Sequence, residues 1–267
     1  MDIVRSETIA GKMVRFELST GVHELSLPMS FDNSVRASEV SIVGDEGAVI
    51  RLPLASERRQ LSDGAIRAAI VLSTQLLIQG VAFQGGASSF GVAAVVVESG
   101  ELAMHNCTVR GVQGTRALHA NGGSSTILSS LFEANLAGAI IAASGGRLYI
   151  GSSALVNNSA ANGGALAVTG NLTEVALVAT RIARNSAKVR GGGLHVTSGN
   201  VVLANLTLLE RNTAPDGAAL HLSGGTTACQ LPPFEHKRSI HRSADPLTSR
   251  FHLVCVRRAT SALGPLG

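Results

Sequence analysis

The 267-residue chain has little of the material from which most globular cores are built. Aromatic residues make up 3% of it, tryptophan is absent and tyrosine occurs once. Hydrophobic residues still account for 45% of the chain, and 30 residues are glycine. The core must therefore consist of valine, leucine, isoleucine and alanine, which favours thin stacked layers over a globule packed around large rings.

Cysteines and long apolar runs are also scarce. Cys107, Cys229 and Cys255 are an odd number, at spacings that fit neither a disulfide framework nor a zinc site. No run approaches the ~18 apolar residues that a membrane-spanning helix needs, and the N-terminus lacks the apolar stretch of a signal peptide. We therefore expect no cofactor, no transmembrane segment and, in the chain as written, no export signal.

An excess of positive charge is missing from most of the chain. The net charge is +4, but residues 1–229 carry equal numbers of basic and acidic side chains. The excess lies in residues 230–267, where six lysines and arginines stand against Glu235 and Asp245. A neutral body lacks the broad basic face of a nucleic-acid-binding protein, so nucleic acid is not an expected partner.

What the chain does have is a repeat centred on asparagine. Four asparagines, spaced by 23, 27 and 27 residues, each follow an apolar residue at minus three and precede small residues, glycines and a short alternating run. They are Asn135, Asn158, Asn185 and Asn212. Weaker copies, with Gly85 and Gly111 at the asparagine position, extend the series toward the N-terminus. Repetition at one period defines the architecture.

The alternation within each copy is strand periodicity, and no 3.6-residue stripe competes with it. Short strands at a period of about 25 residues predict an all-β chain, folded as a single right-handed parallel β-helix whose coils stack at ~4.8 Å. We assign residues 1–14 to a lead-in, 15–226 to a β-helix of about eight coils, and 227–267 to a basic, proline-containing tail that is irregular or disordered. The solenoid is expected to be a monomer.

The same register predicts which side chains point inward. The four asparagines should stack at one bend and hydrogen-bond to the turn backbone and to each other, as a structural ladder. The apolar residues of the alternating runs should fill the interior as aligned columns. These are Leu166, Val168, Leu194, Val196, Leu220 and Leu222.

Two motifs carry a family resemblance. FEAN at 132–135 and GGAL at 163–166 match the FxxN and GGA[ILV] repeats, so residues 71–226 resemble the chlamydial polymorphic membrane proteins. More loosely, the chain resembles right-handed β-helix proteins with pectate-lyase-like coils. The resemblance implies the β-helix fold, and it favours adhesion and an extracellular or cell-surface location.

Candidate ligand-binding residues form a predicted outward strip. Arg184 and Arg211 directly precede ladder asparagines, while His195 and His221 follow inward leucines, so alternation turns both rings outward, ~5 Å apart on consecutive coils. The strip could contact acidic or sulfated glycans. The alternative is that all four are solvated surface residues without a ligand. Two histidines without a carboxylate partner do not make a metal site.

Acidic residues are too sparse and scattered to predict a catalytic pair. We therefore expect a non-enzymatic adhesion or recognition module that contacts glycans or proteins through an extended solenoid face. The alternative is a polysaccharide lyase or glycoside hydrolase of the pectate-lyase-like β-helix group. Its candidate acids are Glu98, Glu101 and Asp216.

Overall fold

The computed structural model describes residues 13–25, 29–31, 39–52, 67–89, 91–230, 238–244 and 251–257. Within these ranges regular structure is strand, apart from one short 3-10 helix at Ala87–Ser89. From Met13 to Gln230, each strand of the three main sheets pairs in parallel with the corresponding strand of the next coil. This all-β parallel solenoid confirms the predicted fold class, while its right-handed sense stays a prediction based on the general preference for right-handed crossovers.

The coils have three faces. Face A is a nine-stranded parallel sheet. Its strands are Met13–Leu18, Glu39–Gly44, Gln75–Gln79, Glu101–His105, Ser124–Leu128, Arg147–Gly151, Glu174–Val178, Asn200–Ala204 and Thr226–Gln230. Face C is an eight-stranded parallel sheet. Its strands are Met29–Phe31, Arg67–Leu72, Val92–Val97, Leu118–Ala120, Ile140–Ala142, Leu166–Val168, Leu194–Val196 and Leu220–Leu222.

Face B lies between them in chain order. Its parallel strands are Gly21–Glu24, Ala48–Arg51, Ala82–Gln84, Thr108–Arg110, Leu131–Glu133, Ala154–Val156, Arg181–Ala183 and Leu208–Glu210. A short two-stranded sheet follows face B in the later coils, and its strands are Ser159–Asn162 and Ser186–Arg190.

The predicted tail departs from the parallel pattern. Phe251–Arg257 pairs antiparallel with Arg238–Ala244 and also with Leu208 and Leu209, at the end of face B. The parallel order itself runs to Gln230. The remaining residues of the predicted tail, and those of the predicted lead-in before Met13, lie outside the described residues.

The core follows from the period-2 alternation of the strands. Leu166, Val168, Leu194 and Val196 are each at most 1% exposed, and Leu166 pairs directly with Leu194 in the next coil. Burying one such aliphatic side chain contributes about 1.5–3 kcal/mol, so each added coil extends the core column by column.

The last described strand of face C breaks this rule. Leu220 is partly buried against the core, but Leu222 is 46% exposed. The prediction that Leu222 is buried is therefore wrong, because its strand is the outermost of face C and no described strand stacks beyond it.

Candidate functional site

The four ladder asparagines form one buried column. The side-chain amides of Asn135, Asn158 and Asn185 each donate to Oδ1 of the next member, over 2.9, 3.0 and 3.0 Å. Each Nδ2 also donates to a carbonyl three residues before the previous ladder position, as Asn185 does to Leu155 at 2.8 Å. Every side-chain amide of the ladder is therefore hydrogen-bonded within the solenoid, which leaves the asparagines no role in binding.

The N-terminal continuation of the ladder is one residue away from its predicted place. Val109 pairs with Phe132, so Val112 rather than Gly111 stands in register with Asn135. The Val112 N–H donates to Asn135 Oδ1 at 3.0 Å. The assignment of Gly111 to the asparagine position is wrong, and so by the same register is that of Gly85.

A second ladder escaped the sequence analysis. Serine and threonine hydroxyls line the bend between faces A and B: Cys107 N–H donates to Ser130 Oγ at 3.1 Å, and Ser130 N–H donates to Ser153 Oγ at 3.0 Å. Thr180 N–H donates to Thr207 Oγ1 at 3.4 Å. Each of these hydroxyl residues lies five positions before a ladder asparagine, so the constant offset was the signal that could have revealed it.

The predicted strip divides into two places. Arg184 and Arg211 lie at the corner that ends face B, with exposed side chains and left-handed φ angles of 57° and 53°. His195 and His221 lie on face C, in paired positions of adjacent strands. No hydrogen bond or ion pair in the described part of the chain joins the arginine corner to the histidines.

The two histidines belong to what we call the polar cluster, formed by Arg190, His195, Asp216 and His221. The ring centroids of His195 and His221 are 5.1 Å apart. Asp216 Oδ2 lies 3.0 Å from His221 Nε2 and 3.7 Å from Arg190 Nε. The interpretation that the histidines lack a carboxylate partner is therefore wrong.

His195 is also less exposed than predicted. Only 8% of it is accessible, and the Ser223 hydroxyl lies 3.4 Å from its Nε2. Burial, followed by repulsion from His221 and the nearby arginines, lowers the pKa of His195, while Asp216 acts in the opposite direction. A solvated surface histidine is thus the wrong description, because the ring is covered even though it points away from the core.

His119, on the same outer side of face C, is buried as well at 8% exposure. Its Nε2 lies 2.9 Å from Thr115 Oγ1, and burial together with the Arg116 charge lowers its pKa to about 4. Arg116 donates from its guanidinium to the carbonyls of Ile140, Asn162 and Gly163. The loop before His119 therefore clamps three coils together and shields the ring.

Face A carries a groove that the sequence analysis did not predict. It encloses about 430 Å³ and has Tyr149, Ala176 and Val202 along its floor. Tyr149 is 39% exposed, and its ring lies across Gly151, where a Cβ would come within 2.9 Å of the ring. The absence of a Cβ at Gly151 therefore leaves room for the aromatic ring.

Polar side chains border this groove. Arg147 and Glu174, on adjacent strands, form an ion pair of 3.3 Å. Asn200, one strand further, accepts a hydrogen bond from the Thr226 hydroxyl at 2.6 Å. Because the opposite charges of Arg147 and Glu174 are paired, the rim offers hydrogen-bonding groups without a net charge of its own.

The remaining predicted acids lie apart. Glu101 accepts a hydrogen bond from Gln75 at 3.1 Å on face A, whereas Asp216 belongs to the polar cluster on face C. Glu98 is exposed in the turn before face A.

Among the described residues, no group of three or more histidines, cysteines or acids is arranged to hold a metal ion. No helix in this part of the chain has the length and apolar character to cross a bilayer.

Comparison with known proteins gives no match: no family model, curated protein or solved structure aligns significantly with the chain. The site must therefore be interpreted from its own geometry.

Proposed function

We propose that the solenoid is a non-enzymatic recognition module that binds glycans or proteins through face A, with the groove around Tyr149 as its binding site. The observation that carries the proposal is the Tyr149 ring, 39% exposed and lining a groove of about 430 Å³. A partly exposed aromatic ring with polar groups beside it is a common arrangement in binding sites.

The groove favours an elongated ligand with alternating apolar and hydroxyl surfaces. The C–H groups on one face of a pyranose ring pack against an aromatic face by dispersion. Ala176 and Val202 continue the Tyr149 column with shorter side chains, leaving room for a chain that runs along the solenoid. A glycan chain has this shape and this chemistry.

The rim favours an uncharged glycan. Arg147 is neutralised by Glu174, and Ser124 and Asn200 add neutral polar side chains. The acidic or sulfated glycans suggested by Arg184 and Arg211 would instead bind at the arginine corner, away from the groove. Neutral glycan binding on face A and acidic glycan binding at the corner are thus separable by mutation.

The enzymatic alternative has less support on this face. Glu101 and Glu174 occupy one column of face A but are three strands apart, or about 14 Å at ordinary sheet spacing. Glycosidase carboxylates lie roughly 5–9.5 Å apart.

The proposal also includes an adhesive role, an extracellular setting and a relationship to the polymorphic membrane proteins. Only the repeat motifs support these three points.

A glycan array followed by calorimetry with soluble polysaccharides tests the proposal. Tyr149→Ala should weaken binding at least about tenfold through the lost aromatic contact. Ala176→Arg should fill the groove and abolish binding. The paired variant Arg184→Ala with Arg211→Ala serves as the matched control and should bind like the wild type.

Other outcomes would contradict the assignment. Loss of binding only in the Arg184→Ala, Arg211→Ala variant would place the site at the arginine corner. A polysaccharide cleavage screen, run with and without calcium, addresses the alternative. Turnover that disappears in Glu98→Gln, Glu101→Gln or Asp216→Asn would identify an enzyme.

A further inference from the structure

The outermost strand of face C is held on one side only. Leu220–Leu222 pairs with Leu194–Val196 and with no other described strand. Leu222 is 46% exposed, so the strand buries less apolar surface than its predecessors. Strands with few buried contacts open most readily. The polar cluster lies where this strand pairs with Leu194–Val196.

The polar cluster contains more basic than acidic groups. The groups that act electrostatically on His195 are His221 on the edge strand, Arg190 at the end of Ser186–Arg190, Arg116 in the loop before Leu118–Ala120, and Asp216. Asp216 is the single carboxylate among them, and it contacts both Arg190 and His221. Because Asp216 already balances Arg190, no second carboxylate among these groups offsets the protons added to the two rings.

The ring of His221 adds a second constraint. Its Nε2 faces the Asp216 carboxylate, so in the neutral ring Nε2 carries the proton and Nδ1 is an acceptor. Nδ1 is buried without a hydrogen-bond partner in the described part of the chain. Protonation would place a donor there with no acceptor, which favours a state in which water reaches the ring.

We propose that the polar cluster is a pH-sensitive latch that holds the edge strand Leu220–Leu222 on face C at neutral pH and releases it on acidification. At neutral pH the two rings pack against each other, and Asp216 balances Arg190. When both rings are protonated, two cations lie 5.1 Å apart beside two arginines, and opening of the strand separates them. This latch is independent of any ligand on face A.

Hydrogen exchange tests the latch on the intact chain. After correction for intrinsic exchange, the amides of residues 216–223 should exchange faster at about pH 5 than at about pH 7.5. Each unit by which the pKa of His195 is lowered should raise the opening constant by up to about tenfold. His195→Gln cannot be charged, so it loses the repulsion between the two rings and should reduce this pH dependence. Asp216→Asn loses the balancing carboxylate and should move the opening to higher pH.

His105→Gln is the matched control, because His105 lies on face A, away from the cluster. It should leave the pH dependence of residues 216–223 unchanged. Equal acid-induced exchange in the wild type and in His195→Gln would overturn the proposal. So would opening that spreads equally to Leu166–Val168, a face C strand without titratable side chains, because the event would then be global unfolding.

A measurement on the unmodified protein covers the case in which a variant fails to fold. Proton NMR of the histidine rings should show His195 titrating below its ordinary range, with the exchange of residues 216–223 rising as the pH falls from the ordinary histidine pKa toward the pKa of His195. A His195 ring that titrates in the ordinary range, or at a pH unrelated to the opening, would overturn the latch.

Discussion

Asn185 and Asn212 are joined by two hydrogen bonds that end on a single atom. The Asn185 side chain donates to Asn212 Oδ1 at 3.0 Å, and the Asn185 backbone N–H donates to the same oxygen at 2.9 Å. Asn185 in turn accepts the equivalent pair from Asn158. Each amide therefore ties the backbone of one coil to the side chain of the next.

Replacing Asn185, an interior member of this ladder, should destabilise the solenoid. Asn185→Leu removes both hydrogen bonds that Asn158 donates to Asn185 and the bond from Asn185 to the Leu155 carbonyl, in a buried bend, at a cost on the order of 1–3 kcal/mol. Urea denaturation measures the change. Asn171→Leu alters an exposed turn and is the matched control. Equal unfolding free energies for the two variants would contradict the structural role of the ladder.

The fold and the ladder could be predicted because the repeat itself encodes them. A stacked coil places residues one period apart in register, so Asn158, Asn185 and Asn212 had to meet once the spacing was recognised. Leu166 and Leu194 were predictable for the same reason. Their environment consists of other members of the repeat, which the sequence displays directly.

The candidate site could not be predicted in the same way. Alternation turned His195 away from the core, but it could not show that the ring is buried or that charges outside the alternating runs, Arg116 and Asp216, act on its pKa. Tyr149 was overlooked because outward positions carry no repeat signal. Its exposure depends on Gly151 beneath the ring and on the small side chains beside it.

Arg116 should contribute strongly to stability even though it is paired with carbonyls rather than with a carboxylate. Its guanidinium donates to Ile140, Asn162 and Gly163, and burial lowers its pKa to about 10. Arg116→Met should remove the hydrogen bonds to three carbonyls of two later coils and cost about 2–4 kcal/mol. Thermal denaturation of this variant beside Arg110→Met, an exposed arginine of face B, measures the difference.

Gly138 provides a test of the same clamp. A Cβ at this position would lie 2.3 Å from a guanidinium nitrogen of Arg116, and the residue has a φ of 98°. Gly138→Ala should therefore destabilise the wild type more than it destabilises Arg116→Met, because the second background keeps the backbone strain and the 3.3 Å approach to the Ala160 Cβ but loses the clash with the guanidinium. A double-mutant cycle with no coupling energy would show that Arg116 does not occupy this position.

Acid should destabilise the protein through His119. Its pKa is lowered from 6.5 to about 4, first by burial and then by Arg116, so the unfolded chain binds the proton more readily than the folded one. Stability is unaffected above pH 6.5 and falls as the pH drops from 6.5 to about 4. The full loss is about 3 kcal/mol. Denaturant titrations across this range should show a smaller loss in His119→Gln than in the wild type and in His105→Gln.

Ser125 and Ser130 lie five residues apart and should respond in opposite ways to alanine substitution. Ser125 stands between Leu102 and Leu148 in an inward column, 1% exposed, and its hydroxyl has no hydrogen-bond partner in the described part of the chain. Ser125→Ala removes this unsatisfied group and should stabilise the fold by up to about 1–3 kcal/mol. Ser130 accepts from Cys107 N–H and donates to the Leu128 carbonyl, so Ser130→Ala should destabilise it. Unfolding shifts of the same sign in both variants would show that the Ser125 hydroxyl is satisfied.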